Sequence, residues 1–155
     1  MTMNNNFFDI CEQHDYKLLE KFNEQYGWIS GLTNLIRFTS NDASGFTQLG
    51  DKIVIELKDR GFNEPFPFSS VFIEPTKLEY CRKRKAEGFK TAYINFIDGK
   101  AWVCDPTASE WKSIWLWIYN KGKGKKEYVK RYMIPVERFR KYPLKISSEQ
   151  LYFKG

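Results

Sequence analysis

The segment "GDKIVIELKDR" (residues 50–60) constrains the fold of this chain more than any other stretch of its sequence. β-Branched and apolar residues with a two-residue period predict a β-strand over residues 52–58. One face of that strand carries Ile53, Ile55 and Leu57, and the other carries Val54, Glu56 and Lys58. The first face is expected in a core. An ionised carboxylate on a buried face is costly without a partner, so Glu56 requires a cation or a polar cluster beside it.

The sequence before this strand predicts a helix and a hairpin. Apolar residues recur at helical spacing over residues 7–26, and Gly27 suits the end of that helix. Residues 40–45 have the composition of a turn. "GD" at 50–51 is a hairpin signal, so the segment 42–49 is expected to pair with the strand.

The sequence after the strand predicts a second helix and two further hairpins. The helix has Pro75 at its start, Gly88 at its end, and Thr76 and Glu79 at capping-box spacing. The predicted elements are a loop over 61–70, this helix over 74–90, strands over 91–97, 100–105, 114–121 and 128–134, and a short helix around 136–141.

This order of elements predicts an α/β or α+β fold with a mixed central sheet flanked by helices. A length of 155 residues fits one domain over 1–155, with a core over about 7–105 and a basic C-terminal extension over about 106–155. An apolar fraction of 42% excludes intrinsic disorder. No apolar run is long enough to span a membrane, and the N-terminus lacks a signal-peptide pattern. The three cysteines, Cys11, Cys81 and Cys104, are odd in number and widely spaced, so we expect a reducing, cytoplasmic location.

Positive charge is concentrated near the C-terminus. Residues 121–145 hold ten Lys/Arg against two Asp/Glu, a net +8 in a chain whose total is +6. Such a segment favours a polyanionic partner, nucleic acid above all, although a solvated surface is the alternative. The candidate nucleic-acid-binding residues are Lys121, Lys123, Lys125, Lys126, Lys130 and Arg131, together with Lys77 outside this segment.

The aromatic run "WKSIWLWIY" (residues 111–119) overlaps the first strand of this basic hairpin. Its rings could stack nucleic-acid bases. Alternating Trp and Ile is more often a core pattern, and we expect Trp115 and Trp117 in a core for that reason.

The predicted hairpin brings Asp42 towards Glu56 and Lys58. Two carboxylates and a lysine around one point suit Mg²⁺ or Mn²⁺, which prefer oxygen ligands. Such a metal polarises a phosphate and activates a water. The lysine can stabilise charge on the phosphate or help to position and deprotonate the water. Asp51 is a rival for Asp42, but it has the opposite strand parity to Glu56 and lies in the "GD" turn.

Asp42 followed by Glu56-Leu57-Lys58 resembles the D…(D/E)-x-K signature of the PD-(D/E)XK nuclease superfamily. The order of predicted elements over residues 7–105 is similar to the αβββαβ core of that superfamily, which includes restriction endonucleases, phage and prophage nucleases and Holliday-junction resolvases. The resemblance implies Mg²⁺-dependent hydrolysis of phosphodiester bonds in DNA, with Asp42 and Glu56 on the metal and Lys58 serving the phosphate or the water. The alternative is a catalytically inactive module of the same fold that binds nucleic acid or a protein partner.

The resemblance also implies contributions from both predicted helices. Many members add a glutamate of the first helix to the metal, and Glu20 is our choice over Glu12 and Glu24. Lys77, early in the second helix, points towards the site or into solvent. By the same analogy a homodimer is one alternative for the assembly. The single histidine, His14, has no cysteine near it in sequence, and no P-loop motif is present.

Overall fold

Two helices and nine strands make up the part of the chain that the computed structural model describes: residues 3–35, 41–60 and 68–145, with side chains of the first helix from residue 13 onward. The elements are α1 (Met3–Tyr26), β1 (Ser30–Asn34), β2 (Ala43–Phe46), β3 (Lys52–Asp59), β4 (Ser70–Ile73), α2 (Pro75–Ala86), β5 (Lys90–Ile97), β6 (Lys100–Cys104), β7 (Lys112–Asn120), β8 (Lys125–Pro135) and β9 (Arg140–Pro143).

The strands form two sheets. The main sheet has the order β1-β2-β3-β5-β6-β9, and the second has the order β4-β8-β7. Within the main sheet β3 and β5 run parallel, joined through α2, and the other neighbours are antiparallel. The second sheet is antiparallel. The chain therefore has the predicted α+β class with a mixed sheet.

The strand β3 separates two layers. Ile53, Ile55 and Leu57 are buried in one core together with Leu19 and Phe22 of α1, which confirms the predicted core face. Glu56 lies on the opposite face of β3, within reach of α2. One face of this strand thus supplies the apolar packing that fixes the position of the polar face.

A second core lies on the α2 side of the main sheet. Leu78 of α2 packs there with Val71 of β4, Ile134 of β8 and Ile97 of β5. The second sheet therefore covers the same side of the main sheet as α2. The predictions did not include β4, because it has only four residues and directly follows a Pro-rich segment.

Three local predictions differ from the structure. Residues 43–45, expected in a turn, belong to β2, because pairing with β3 outweighs the turn propensity of Ser44 and Gly45. The helix α2 takes Glu74 rather than Thr76 as its N-cap and has no side-chain capping bond, so the capping box is absent, while Pro75 does start the helix. The predicted short helix at 136–141 is a 3-10 turn over Val136–Arg138 followed by β9. Residues 61–67 of the predicted loop lie outside the described residues.

The C-terminal region contributes to the main sheet as well as to the second one. The strand β9 pairs antiparallel with β6, and Trp102 of β6 lies opposite Lys141. The Lys141 Nζ lies 4.3 Å from the centre of the Trp102 ring, a cation–π contact. Residues beyond 105 therefore hold the outer edge of the main sheet.

Gly45 of β2 is expected to tolerate no side chain. A Cβ at this position would overlap Cγ2 of Ile29 and approach the Ser30 carbonyl oxygen to 3.0 Å. We expect Gly45→Ala to lower the free energy of unfolding by about 1–3 kcal/mol, the usual cost of overpacking. Urea denaturation of Gly45→Ala beside Ser44→Ala, on the same strand, measures this. Equal midpoints for the two variants would contradict the close approach of β1 and β2.

Candidate active site

Glu56 is a carboxylate almost fully removed from water, with 1% of its surface exposed. Asn41 donates a hydrogen bond from Nδ2 to Glu56 Oε1 at 2.8 Å. The other oxygen, Oε2, has no hydrogen-bond partner within the described ranges. Polar atoms buried in this way are rare in folded proteins because each costs desolvation free energy, so Oε2 is a candidate position for a bound group.

The hairpin of β2 and β3 brings Asp42 to Glu56. The Asp42 N–H donates to the Ile55 carbonyl at 3.1 Å, and its own carbonyl accepts from the Leu35 N–H at 3.0 Å. The Asp42 Oδ2 accepts a hydrogen bond from the Leu57 N–H at 2.8 Å. Asp42 is therefore held to the residues on both sides of Glu56, and its carboxylate is fixed by the backbone of β3.

Lys77 of α2 joins the two carboxylates. Its Nζ lies 3.8 Å from Asp42 Oδ2 and 3.8 Å from Glu56 Oε2. A lysine in the first turn of a helix opposes the helix dipole, so this position is unfavourable without compensation. Burial alone would lower the pKa of Lys77, but the neighbouring carboxyl groups, Asp42 above all, outweigh burial and raise the pKa above its usual value. The sequence left the direction of this side chain open, and the structure directs it into the site.

A cavity of about 140 Å³ adjoins this cluster. Half of its lining residues are cationic, namely Lys58, Arg60, Lys77 and Arg131, and Glu74 is the one acidic lining residue. The cavity therefore favours an anion of small size, and Lys77 connects it to the carboxylate pair.

Arg60 is held rigidly at this cavity. Its Nε donates to Asn95 Oδ1 at 2.8 Å, and one terminal nitrogen donates to the Phe72 carbonyl at 2.6 Å and to the Tyr93 hydroxyl at 3.0 Å. Sequence reasoning missed Arg60, although it ends the very segment that carries Glu56 and Lys58. Its position two residues after Lys58 was the available signal.

Lys58 is exposed as a residue, yet its ammonium is crowded by other cations. Burial at the cavity and the positive charges of Lys77 and Arg60 lower the pKa of Lys58 below its usual value. A lowered pKa makes loss of the ammonium proton easier. Lys58 can thus act as a cation or, once deprotonated, as a proton acceptor.

Burial raises the pKa of Glu56 to about 9, with the charge of Asp42 as the second cause. Lys77 acts in the opposite direction without cancelling these effects. Glu56 therefore carries a proton at neutral pH. A cation that binds Glu56 has to displace this proton, which links binding to pH.

The helix α1 carries an acidic residue, Asp15, within electrostatic range of the site. Burial, with the charge of Asp59 as the second cause, raises the pKa of Asp15 to about 7, although Lys58 and Lys77 act in the opposite direction. Next to Asp15 in sequence, His14 Nε2 lies 3.0 Å from Asp59 Oδ2 and ties α1 to the end of β3. Asp15 is therefore an α1 carboxylate that interacts electrostatically with Lys58 and Lys77.

The other carboxylates weighed from the sequence lie elsewhere. Glu20, our choice from the first helix, is exposed on α1, as is Glu24. The side chain of Glu12 lies outside the described residues. Asp51 is exposed in the turn between β2 and β3, where its N–H donates to Thr47 Oγ1 at 3.1 Å. The structure thus favours Asp15 over Glu20 as the helical acid near the site, because Glu20 was chosen for helix pattern and not for position.

The basic residues predicted for nucleic-acid binding, apart from Lys77 of α2, lie on one two-stranded ribbon, formed by β7 and β8 with their connecting turn. Lys121 and Lys123 are in the turn, and Lys125, Lys126, Lys130 and Arg131 are on β8. Arg131 lines the cavity, and one terminal nitrogen of its guanidinium group lies 3.9 Å from Glu74 Oε1. The interpretation of Trp115 and Trp117 as core residues is wrong, because both are exposed on this ribbon.

The donor set suits a magnesium-type ion held mainly by water and substrate. Asp42 and Glu56 supply two carboxylates, and Oε2 of Glu56 has no hydrogen-bond partner among the described residues. Mg²⁺ commonly binds through one or two carboxylates and keeps its remaining positions for water and phosphate oxygens. No group of three or more His, Cys, Asp or Glu side chains arranged to hold a metal occurs among the described residues. The two residues present therefore fit a partly hydrated ion and not a closed structural site.

Replacement of Glu56 by Gln should stabilise the fold at neutral and alkaline pH. The folded protein keeps the Glu56 proton up to about pH 9, whereas an unfolded glutamate loses it near pH 4.5. Stability is therefore lost as pH rises through this window, and Glu56→Gln removes the loss. We expect the gain in Tm to be larger at pH 8 than at pH 5 by on the order of 5 °C.

The control is Glu79→Gln on the exposed side of α2, which should give the same small change at both pH values. Thermal unfolding followed by circular dichroism measures both variants. A gain for Glu56→Gln that does not depend on pH would contradict a buried, protonated Glu56.

The chain matches none of the protein-family models, curated proteins or solved structures to which it was compared. No described helix is both long and apolar enough to cross a bilayer. Function therefore has to be argued from the site itself, since a fold alone does not determine it.

Proposed function

We propose that the chain is a metal-dependent nuclease that hydrolyses phosphodiester bonds in DNA. The observation that carries this proposal is the convergence of Asp42 and Glu56 on one point, 3.8 Å from the same ammonium, at the edge of a cationic cavity. A pair of carboxyl groups suited to a divalent cation, beside an anion-binding cavity, supplies the parts that phosphodiester hydrolysis requires.

The cavity would bind the scissile phosphate. The Arg60 guanidinium is fixed by three hydrogen bonds, so it is positioned before a substrate arrives. Arg131 lies across the same cavity on the ribbon. Guanidinium groups match the geometry of phosphate oxygens and stay charged at all relevant pH values. These two arginines therefore orient the phosphate and neutralise charge that develops on it.

Asp42 and Glu56 would hold Mg²⁺ or Mn²⁺. When bound, the ion supplies polarisation of the phosphate and a lower pKa for a bound water. Lys77 contacts the same two carboxylate oxygens, so ammonium and metal compete for them. In the absence of the ion, the Lys77 ammonium offsets the negative charge of the carboxyl pair. This contact stabilises the fold around Asp42 and Glu56.

Lys58 would serve the reaction from the cavity side. Hydrolysis forms one P–O bond to the water oxygen, breaks the P–O bond to the leaving sugar oxygen, and transfers a proton between them. As a cation Lys58 stabilises the phosphate charge, and as a neutral amine it accepts the proton of the water. Its lowered pKa favours the second role relative to an ordinary lysine.

The order of elements supports the resemblance to PD-(D/E)XK nucleases. The chain runs α1, β1, β2, β3, then α2 and β5, with the short strand β4 inserted before α2. Asp42 precedes β2, and Glu56 and Lys58 lie on β3, as the signature requires. The basic ribbon of β7 and β8 follows this set of elements.

A second candidate function is a catalytically inactive module of the same fold that binds nucleic acid. The observation that favours it is Lys77, which already occupies the position between both carboxylates. In such a module the cationic cavity and the ribbon bind the backbone, and no metal enters. Cleavage assays separate the two functions.

Purified protein with Mg²⁺ or Mn²⁺ should cleave at least one of plasmid, single-stranded and branched DNA, and should cleave none with EDTA. On the substrate that is cut, Lys58→Ala and Asp42→Asn should each lower the rate about 10²-fold, since Lys58 would stabilise charge on the phosphate and Asp42 would hold the metal. Gel electrophoresis of time courses measures this.

The matched control is Lys83→Ala, which removes an exposed lysine of α2 outside the cavity and should leave the rate unchanged. Failure of the wild-type protein on every substrate with both metals would overturn the nuclease proposal. If the protein then still binds DNA, the inactive module is the correct function.

A further inference from the structure

The ribbon of β7 and β8 carries an unusual row of large aromatic side chains on its surface. Trp115 is 56% exposed, Trp117 is 66% exposed and Tyr128 is 55% exposed. Tyr119, next along the same face of β7, is exposed as well. Contiguous exposed apolar groups of this size mark interaction surfaces, because single exposed residues are common and clustered ones are not.

The rings form a ladder across the two strands. Tyr128 lies directly opposite Trp117, with ring centres 5.2 Å apart. Tyr128 also stacks on Trp115 at 5.5 Å, with an angle of 25° between the ring planes. Mutual contact restricts the rotamers of these rings, so they form an ordered surface before any partner arrives.

Lysines interleave with this ladder on the same face. Lys126 lies opposite Tyr119, and Lys130 lies opposite Trp115. Over residues 112–135 the ribbon holds seven Lys/Arg and one Glu, so its net charge equals the +6 of the whole chain. The partner of this surface must therefore combine flat apolar groups with regularly spaced negative charge.

The ribbon is anchored in the second core and also forms part of the cavity wall. Ile134, on the aromatic face near the end of β8, is fully buried in the second core, which anchors the ribbon. Residues of the opposite face, Ile118 and Arg131, line the cavity. A chain bound along the ribbon is thus next to the element that forms one wall of the site.

We propose that the aromatic face of the ribbon binds single-stranded nucleic acid, with unpaired bases stacked on Trp115, Trp117 and Tyr128 and the backbone beside Lys126 and Lys130. Stacking on aromatic side chains within a basic groove is how proteins bind single strands without sequence preference. A duplex can contact only the lysines of this surface, because its bases are already stacked on one another. The charge makes a second copy of this equally basic ribbon an unfavourable occupant.

This inference adds to the proposed function a substrate class, nucleic acid with unpaired bases. It rests on the proposed function only for the step from binding to cleavage. It is therefore tested without metal. Fluorescence polarisation of a labelled oligothymidylate in EDTA should show tighter binding than the same strand paired with oligoadenylate. Trp117→Ala should weaken single-strand binding about tenfold, the loss expected for one stacked base.

Trp117→Phe should keep most of the affinity, because a ring remains for stacking. Tyr80→Ala, which removes an exposed aromatic side chain of α2, should bind like the wild type. Tyr128→Ala provides a second variant of the ladder with the same expected loss as Trp117→Ala.

Equal affinity for duplex and single strand would overturn the inference. A loss for Trp117→Ala and Tyr128→Ala no larger than for Tyr80→Ala would do so too, since backbone charge alone would then explain binding. Light scattering could instead show that the wild type is a dimer and that Trp117→Ala is a monomer. The aromatic face would then be the contact between two copies of the chain. None of these results bears on cleavage with Mg²⁺, so the two proposals fail separately.

Discussion

The rest of this structure depends on the contacts that the buried Glu56 carboxyl group makes with Asp42 and Lys77. The strand of Glu56 is fixed by an apolar face against α1, and its other face has to accommodate a group that prefers water. Asn41 and Lys77 make this burial tolerable without satisfying both oxygens. The α2 helix consequently carries Lys77 in its first turn, where a carboxylate would suit the helix dipole better. A fold optimised for stability alone would place an apolar residue at position 56.

The same cluster divides the surroundings into two electrostatic regions. The carboxylate pair favours a cation, whereas the cavity lined by Lys58, Arg60 and Arg131 favours an anion. Lys77 belongs to both regions, because it touches the carboxylates and lines the cavity. A phosphodiester with a divalent ion satisfies both regions together, which neither a simple anion nor a simple cation does. The ribbon extends the positive region outward, with aromatic rings between its charges.

Some of this arrangement could be predicted from the sequence. The two-residue period gave the strand and its core face, and the "GD" turn placed Asp42 beside Glu56, because a short hairpin fixes register. The helix boundaries near Gly27 and Pro75 followed from backbone preferences. The positions of Arg60 and Asp15 depend on tertiary packing that no local pattern encodes. The exposure of Trp115 and Trp117 depends on what covers the sheet, and an alternating pattern is the same whether a covering layer exists or not.

The central claim is that Asp42 and Glu56 form one cation site controlled by the Glu56 proton. Isothermal calorimetry of Mn²⁺ binding, repeated in buffers of different ionisation enthalpy, tests it most directly. We expect one ion to bind with release of about one proton at pH 7, and both binding and release to be lost in Glu56→Gln. Binding that releases no proton, or that persists unchanged in Glu56→Gln, would contradict the account.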